Sequence, residues 1–196
     1  METLTRQADA ADAVFEDALL DVRAWDALPD TKPRYELIEG RLVQKMTTTN
    51  AHAWAAARLL FVLTGWGDEN GWRFLAEGTG VWLNERNGAV PDVVGFSPEQ
   101  SLRPEATHNE TPFLVAEVLS PSTARRDRTF KKTRYAAIGI ALYLIIDPSN
   151  RTFEVLRRDP ASEAARYGEP EVLGESDVWT PPELPGLSLV IDRLWL

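Results

Sequence analysis

The sequence predicts an α/β fold with a central mixed β-sheet flanked by helices, and three observations predict it. Residues 113–119 and 140–146 are nearly unbroken apolar runs, the pattern of strands covered on both faces. Between them Ser120-Pro121-Ser122 opens a helix that Gly139 ends, and apolar strand, helix, apolar strand is what a parallel crossover requires. Tyr35-Glu36-Leu37-Ile38 and Arg41-Leu42-Val43-Gln44-Lys45-Met46, flanking Glu39-Gly40, add an antiparallel hairpin.

The remaining elements follow in chain order. Residues 12–28 carry Val14, Phe15, Leu19, Leu20 and Val22 at amphipathic spacing, so a helix ending near Pro29 is expected. After the hairpin, Thr49 or Asn50 caps a second helix running to Leu63 and closed by Gly65 and Gly67. Short strands are expected at 72–76, 80–83 and 92–96, followed by a loop over 100–112. Beyond the crossover, Asp147-Pro148-Ser149-Asn150 turns the chain into a strand at 152–157, and 184–191 ends in one more short apolar segment. No repeat or linker divides the chain. The expected organisation is an N-terminal helical segment, 1–30, and one domain over 31–196, a length that suits a single core.

Composition removes several function classes. The chain has no cysteine, which excludes disulfides, thiolate metal sites and cysteine nucleophiles. His52 and His108 stand alone, so a zinc site is disfavoured. No glycine-rich loop opens a helix after a strand, so nucleotide-binding loops find no support. The longest uncharged run, 135–146, is 12 residues, short of the roughly 20 needed to span a bilayer. The N-terminus lacks the pattern of a signal peptide. A cytoplasmic protein with no membrane partner is expected. The net charge of −9 opposes nucleic-acid binding in bulk, yet residues 125–134 hold six basic side chains against one acid. That cluster reads either as a solvated helix face or as a local phosphate-facing patch.

The chemistry concentrates between Val90 and Lys132. Asp92 sits at the mouth of one apolar run and Glu117 inside another, where acids rarely sit unless paired, hydrogen-bonded or bound to a cation. Two carboxylates on neighbouring strands suit Mg²⁺ or Mn²⁺, with waters and substrate oxygens completing the shell. Lys131, on the following helix, is long enough to reach back and stabilise developing charge. Asp127 lies four residues before Lys131, so the two also read as a simple exposed ion pair.

Tyr35-Glu36-Leu37-Ile38-Glu39-Gly40, Pro91-Asp92-Val93, Glu117-Val118-Leu119-Ser120-Pro121-Ser122-Thr123, Asp127, Lys131, Tyr135, Gly139 and Asp147-Pro148 occur in an order that resembles the Uma2 family. These are bacterial restriction-endonuclease-like proteins of the PD-(D/E)XK nuclease superfamily, and the resemblance runs from about Tyr35 to the C-terminus. It implies a restriction-endonuclease-like core and a metal-dependent endonuclease acting on phosphodiester bonds, with DNA as substrate. It implies Asp92 and Glu117 as metal ligands, and Lys131 in place of the superfamily's lysine, whose usual position is Leu119 here. Glu36 matches an acid of the family's Tyr-Glu-Leu motif and reads either as a further acidic contributor or as a strand residue paired with a base. Tyr135, one turn past Lys131, reads either as its support or as core. A homodimer is an argument from function, since cutting a duplex calls for two sites. The competing class is a catalytically inactive nuclease fold kept for protein binding or dimerisation.

Overall fold

The computed structural model describes residues 19–28, 34–45, 48–76, 78–104, 110–159 and 165–196. Helix α1 is Val22–Asp26, capped by Asp21, whose side chain accepts from the Ala24 N–H. The helix expected over 12–28 is shorter among the described residues. Leu19 and Leu20 lie outside it, and the Leu20 N–H donates instead to the Gly40 carbonyl. Residues 12–18 lie outside the described residues.

Strands β1 (Tyr35–Ile38) and β2 (Arg41–Gln44) form the expected hairpin. Glu39 and Gly40 both have positive φ, 50° and 81°. That backbone matches the twist of a two-residue hairpin, and Gly40 adopts it without a Cβ penalty. The strand ends at Gln44, and Met46, expected within it, lies outside the described residues.

Helix α2 (Asn50–Asn70) begins at the Thr49 cap, and here the expectation on its end fails. It runs through Gly65 and Gly67 and stops at Gly71, which is left-handed at φ 76°. Gly67 is a packing residue: a Cβ there would lie 2.9 Å from the Phe74 ring. Gly67→Ala is therefore expected to destabilise by about 1–3 kcal/mol through overpacking, despite alanine's better helix propensity. Gly65 has nothing within 4 Å of such a Cβ, so Gly65→Ala is expected to stabilise by up to about 1 kcal/mol. Urea denaturation of the two variants reads out these opposite signs.

Strands β3 (Arg73–Ala76), β4 (Val81–Asn84), β5 (Asn87–Ala89) and β6 (Val93–Phe96) follow, then β7 (Leu114–Val118). The segment α3 comprises an α-turn Ala124–Arg126, a π-turn Asp127–Lys131 and an α-helix Lys132–Ala137. Then come β8 (Leu142–Asp147), β9 (Thr152–Arg157), β10 (Glu171–Leu173), β11 (Val178–Trp179), β12 (Leu189–Val190) and a 3₁₀ turn, Ile191–Leu194. The three strands β5, β10 and β11 escape the sequence reading; each is two or three residues long, too short to show an alternating pattern.

The central sheet is mixed, as predicted, in the order β10-β9-β8-β7-β6-β3; β7 and β8 are the parallel pair, joined by α3, and the other pairings are antiparallel. A smaller sheet, β2-β1-β5-β4, carries the hairpin, and α1 covers it through Trp25. Alternation along the central strands divides the core. Leu114, Ala116, Val118, Leu144 and Ile146 meet Leu59 and Leu63 of α2. Val115, Tyr143 and Ile145 meet Tyr135 and Ala136 of α3. Glu117 is on the second of these faces, so its carboxylate is delivered to the underside of α3.

Candidate functional site

Asp92 immediately precedes β6, whose Val93 is paired with Ala116 of β7, so Asp92 arrives beside the end of β7. Its Oδ2 accepts the Val118 backbone N–H at 2.7 Å. Its Oδ1 accepts from Lys45 Nζ at 2.9 Å, and His52 Nε2 lies 3.3 Å from Oδ2. Burial works against the charged form, but the contact with His52 and the ammonium of Lys45 hold the Asp92 carboxyl well below the usual carboxylate range.

Glu117 has a different environment. Its Oε1 accepts from the Tyr135 hydroxyl at 2.7 Å and from Lys131 Nζ at 2.9 Å. Burial pushes this carboxyl up to about 8, the charges of Asp127 and Asp92 push the same way, and Lys131 opposes them. Lys131 in turn lies 2.8 Å from Glu36 Oε1 and 3.1 Å from Asp127 Oδ1, and it is only 3% exposed. Three carboxylates thus lie within ion-pair distance of one ammonium, which donates its hydrogen bond to Glu117. Desolvation alone would lower the Lys131 pKa, but Glu117, Glu36 and Asp127 raise it. Glu36 also pairs with Arg126 at 3.0 Å, and its own carboxyl is lowered: burial resists, and Lys131 and Arg126 prevail.

Asp127 and Lys131 stand four residues apart across the π-turn, on one side of α3, and both are buried. The solvated ion pair is not what forms. Of the basic cluster Lys131 alone is buried and Arg125 is exposed; the partly exposed Arg126 meets Glu36, Arg128 meets Glu154 and Asp147, and Arg134 meets Glu39.

The structure therefore brings Asp92, Glu117, Lys131, Glu36, Asp127 and Tyr135 into one cluster. Tyr135 is both core and site, since its hydroxyl donates to Glu117 and not to Lys131. Lys45, His52 and Arg126 join the cluster without having been singled out. For His52 a signal existed, because it heads the buried stripe Ala55, Leu59, Leu63 of α2. A polar residue in an apolar register is informative in the same way as Glu117 in its strand. A narrow cleft of about 20 Å³ between Asp92, Glu117, His52 and Lys45 reaches the surface near Ser120 and Thr123.

Four carboxylates here face three permanent cations, Lys45, Arg126 and Lys131. Burial first, with the charges of Asp127 and Asp92 adding to it, makes Glu117 keep its proton toward pH 8. Among the described residues no three His, Asp or Glu are set out as a ready-made metal cage. The donor set nonetheless fits a cation of one kind: Asp92 and Glu117 offer only hard oxygen, and Mg²⁺ is commonly held by one or two carboxylates while keeping its waters.

A mixed sheet with a parallel crossover, an acid after proline at one strand mouth and a second acid inside the next strand define a restriction-endonuclease-like nuclease fold. The chain belongs to the Uma2 family, whose model, described as "Putative restriction endonuclease", matches residues 22–192. Among solved structures it is similar to "a putative nuclease belonging to DUF820" from Anabaena variabilis, at 25% identity and a TM-score of 0.69, over 85% of this chain and 92% of that one. No curated protein matches. Among the described residues no helix is long and apolar enough to cross a membrane.

Proposed function

We propose that this nuclease-family chain is a divalent-metal-dependent endonuclease that hydrolyses phosphodiester bonds in DNA, with Asp92 and Glu117 holding Mg²⁺ or Mn²⁺. The observation that carries the reading is the pair of buried carboxyl groups, Asp92 at the mouth of β6 and Glu117 inside β7, lining one cleft. When bound, such an ion supplies Lewis acidity at a phosphoryl oxygen and makes a water acidic at neutral pH. The chain's own residues set the geometry. Asp92 is fixed by Lys45, His52 and the Val118 N–H, and Glu117 by Tyr135 and Lys131. Lys131, paired with three carboxylates, acts by holding Glu117, Glu36 and Asp127 in place and by its positive potential. In the reaction a water oxygen bonds to phosphorus, the ester P–O bond breaks, and the leaving oxygen takes up a proton. Family membership and the nuclease-like neighbour support the substrate class, and a homodimer would place two sites on a duplex.

Incubation of the purified chain with single- and double-stranded DNA, with Mg²⁺ or Mn²⁺ and with EDTA, tests the reading; cleavage is expected only with the metals. Calorimetry supplies an independent check. Glu117 must lose its proton to bind a cation, so affinity is expected to rise with pH up to about 8 and to be accompanied by proton release. Binding that is flat across that range would argue against Glu117 as a ligand. The second reading, an inactive module for protein binding, is favoured by Trp54 and Phe61, 42% and 68% exposed on α2. It predicts neither cleavage nor metal binding.

A further inference from the structure

The cleft between Asp92 and Glu117, of about 20 Å³, has room for roughly one water. A phosphodiester is larger, so its phosphate has to rest at the rim. The walls Asp92, Glu117, Asp127 and Lys131 are buried, whereas Thr48 is exposed and Ser120, Thr123 and Arg126 are half-buried. Those four residues are the ones a phosphate at the rim meets first.

Arg126 supplies the charge. Its side chain is 23% exposed, against 10% for Lys45 and 4% for Lys131. Of the three permanent cations lining the cleft it therefore stands furthest out. Its Nη2 lies 3.0 Å from Glu36 Oε2, which pins the guanidinium without exhausting its five N–H bonds. Nε is buried, so the donors left to a ligand are those of the two terminal nitrogens, which suit paired phosphate oxygens. The hydroxyls beside it supply a further donor. Ser120 Oγ lies 3.1 Å from Ser122 Oγ and 3.0 Å from Thr123 Oγ1. Two contacts among three hydroxyls use two O–H bonds, and the third is left to donate outside the cluster. The Ser120 N–H, donating to Thr123 Oγ1 at 3.3 Å, holds these groups at the break that follows β7.

We infer that Arg126, with the hydroxyls of Ser120 and Thr123, grips a backbone phosphate of the DNA at the rim of the cleft. The grip presents the neighbouring P–O bond to Asp92 and Glu117 within. The inference rests on the nuclease reading and names the groups that hold its substrate. Phosphate contacts position a nucleic acid without reading its bases, so the effect is the same for unrelated sequences.

Cleavage kinetics of two unrelated DNA duplexes with Mg²⁺, at several salt concentrations, test it. Arg126→Gln keeps a polar partner for Glu36 and removes the charge. It is expected to raise KM about 10-fold for both duplexes, the effect of one charged hydrogen bond. A contact kept through the reaction leaves kcat near wild type, and calorimetric Mg²⁺ affinity is expected to stay within a few-fold. The slope of log(1/KM) against log salt is expected to flatten by about 1. Arg126→Lys, which restores the charge, is expected to restore that slope. Thr123→Val is expected to raise KM about 10-fold with the slope unchanged.

A folded Arg126→Gln chain with wild-type KM overturns the inference. So does a raised KM with an unaltered slope, which would leave Arg126 as a support for Glu36 alone. Should Arg126→Gln fail to melt cooperatively, wild-type KM in Thr123→Val overturns it. In each of these cases the wild-type chain still cleaves, and the nuclease reading stands. A wild-type chain that neither cleaves DNA nor binds Mg²⁺ sinks that reading and this inference with it.

Discussion

Lys131→Met is expected to lower stability by about 3–5 kcal/mol, the cost of removing one partner from a buried ion cluster. The substitution keeps an unbranched side chain of similar length and removes only the ammonium. It leaves Glu36, Glu117 and Asp127, each no more than 3% exposed, with their common cation gone. A domain has about 5–15 kcal/mol in hand, so the loss is a large part of the whole. For a chain of this length it corresponds to a fall of about 6–20 °C in Tm. The sign of the pH dependence is fixed by the acids. In the variant their charged forms are penalised, so the deficit is expected to shrink as pH falls toward about 5 and the carboxyls protonate. In the wild type, Lys131 has a raised pKa, so its contribution is fully present below the unfolded lysine value and is lost only as pH rises through the folded one. Calorimetric melting at neutral and acidic pH checks both claims. A shift under about 2 °C would mean that water reaches these acids.

The parts of this architecture that were legible in the sequence are those written in long patterns. The two apolar runs became β7 and β8, paired in parallel, and the crossover between them became α3. The Glu39-Gly40 turn was legible because Gly40, at positive φ, is a chemically marked turn residue between two strand-like runs. The end of α2 was not legible, because Gly67 serves the packing of Phe74, and sequence does not distinguish a glycine that ends a helix from one that admits a ring. Within the site, acids in apolar strands announced themselves, and Glu117 and Asp92 were visible on that ground. Their environments were not. Whether Lys131 faces solvent or three carboxylates depends on Glu36 of β1 and Glu117 of β7 being brought beneath α3, which only the fold does. Lys45 was invisible for a related reason: it follows β2 and meets Asp92 across 47 positions of chain, a contact only the fold creates.

Asp92→Asn is expected to abolish cleavage while the chain remains folded. The substitution keeps the shape and removes the charge, and with it one of two carboxylates proposed to hold the metal. Lewis-acid stabilisation is worth several kcal/mol in such sites, so a loss of about 10³-fold or more in kcat/KM is expected. Stability should fall by only about 1–3 kcal/mol, because the amide oxygen still accepts the Val118 N–H while the amide nitrogen faces donors where an oxygen stood. The pH dependence again carries a sign. The Asp92 pKa is depressed in the folded chain, so its stabilisation is present above the unfolded aspartate value and lost as pH falls through the folded one. The variant lacks that group, so this acid-side loss should be absent from its stability profile. Cleavage kinetics, calorimetric Mg²⁺ binding and a urea melt on one preparation decide the matter. Activity and metal affinity lost together, with the melt still cooperative, assign Asp92 to the metal. A folded variant that binds Mg²⁺ like wild type would remove Asp92 from the ligand set and leave it as the residue that ties β6 to β7 through the Val118 N–H.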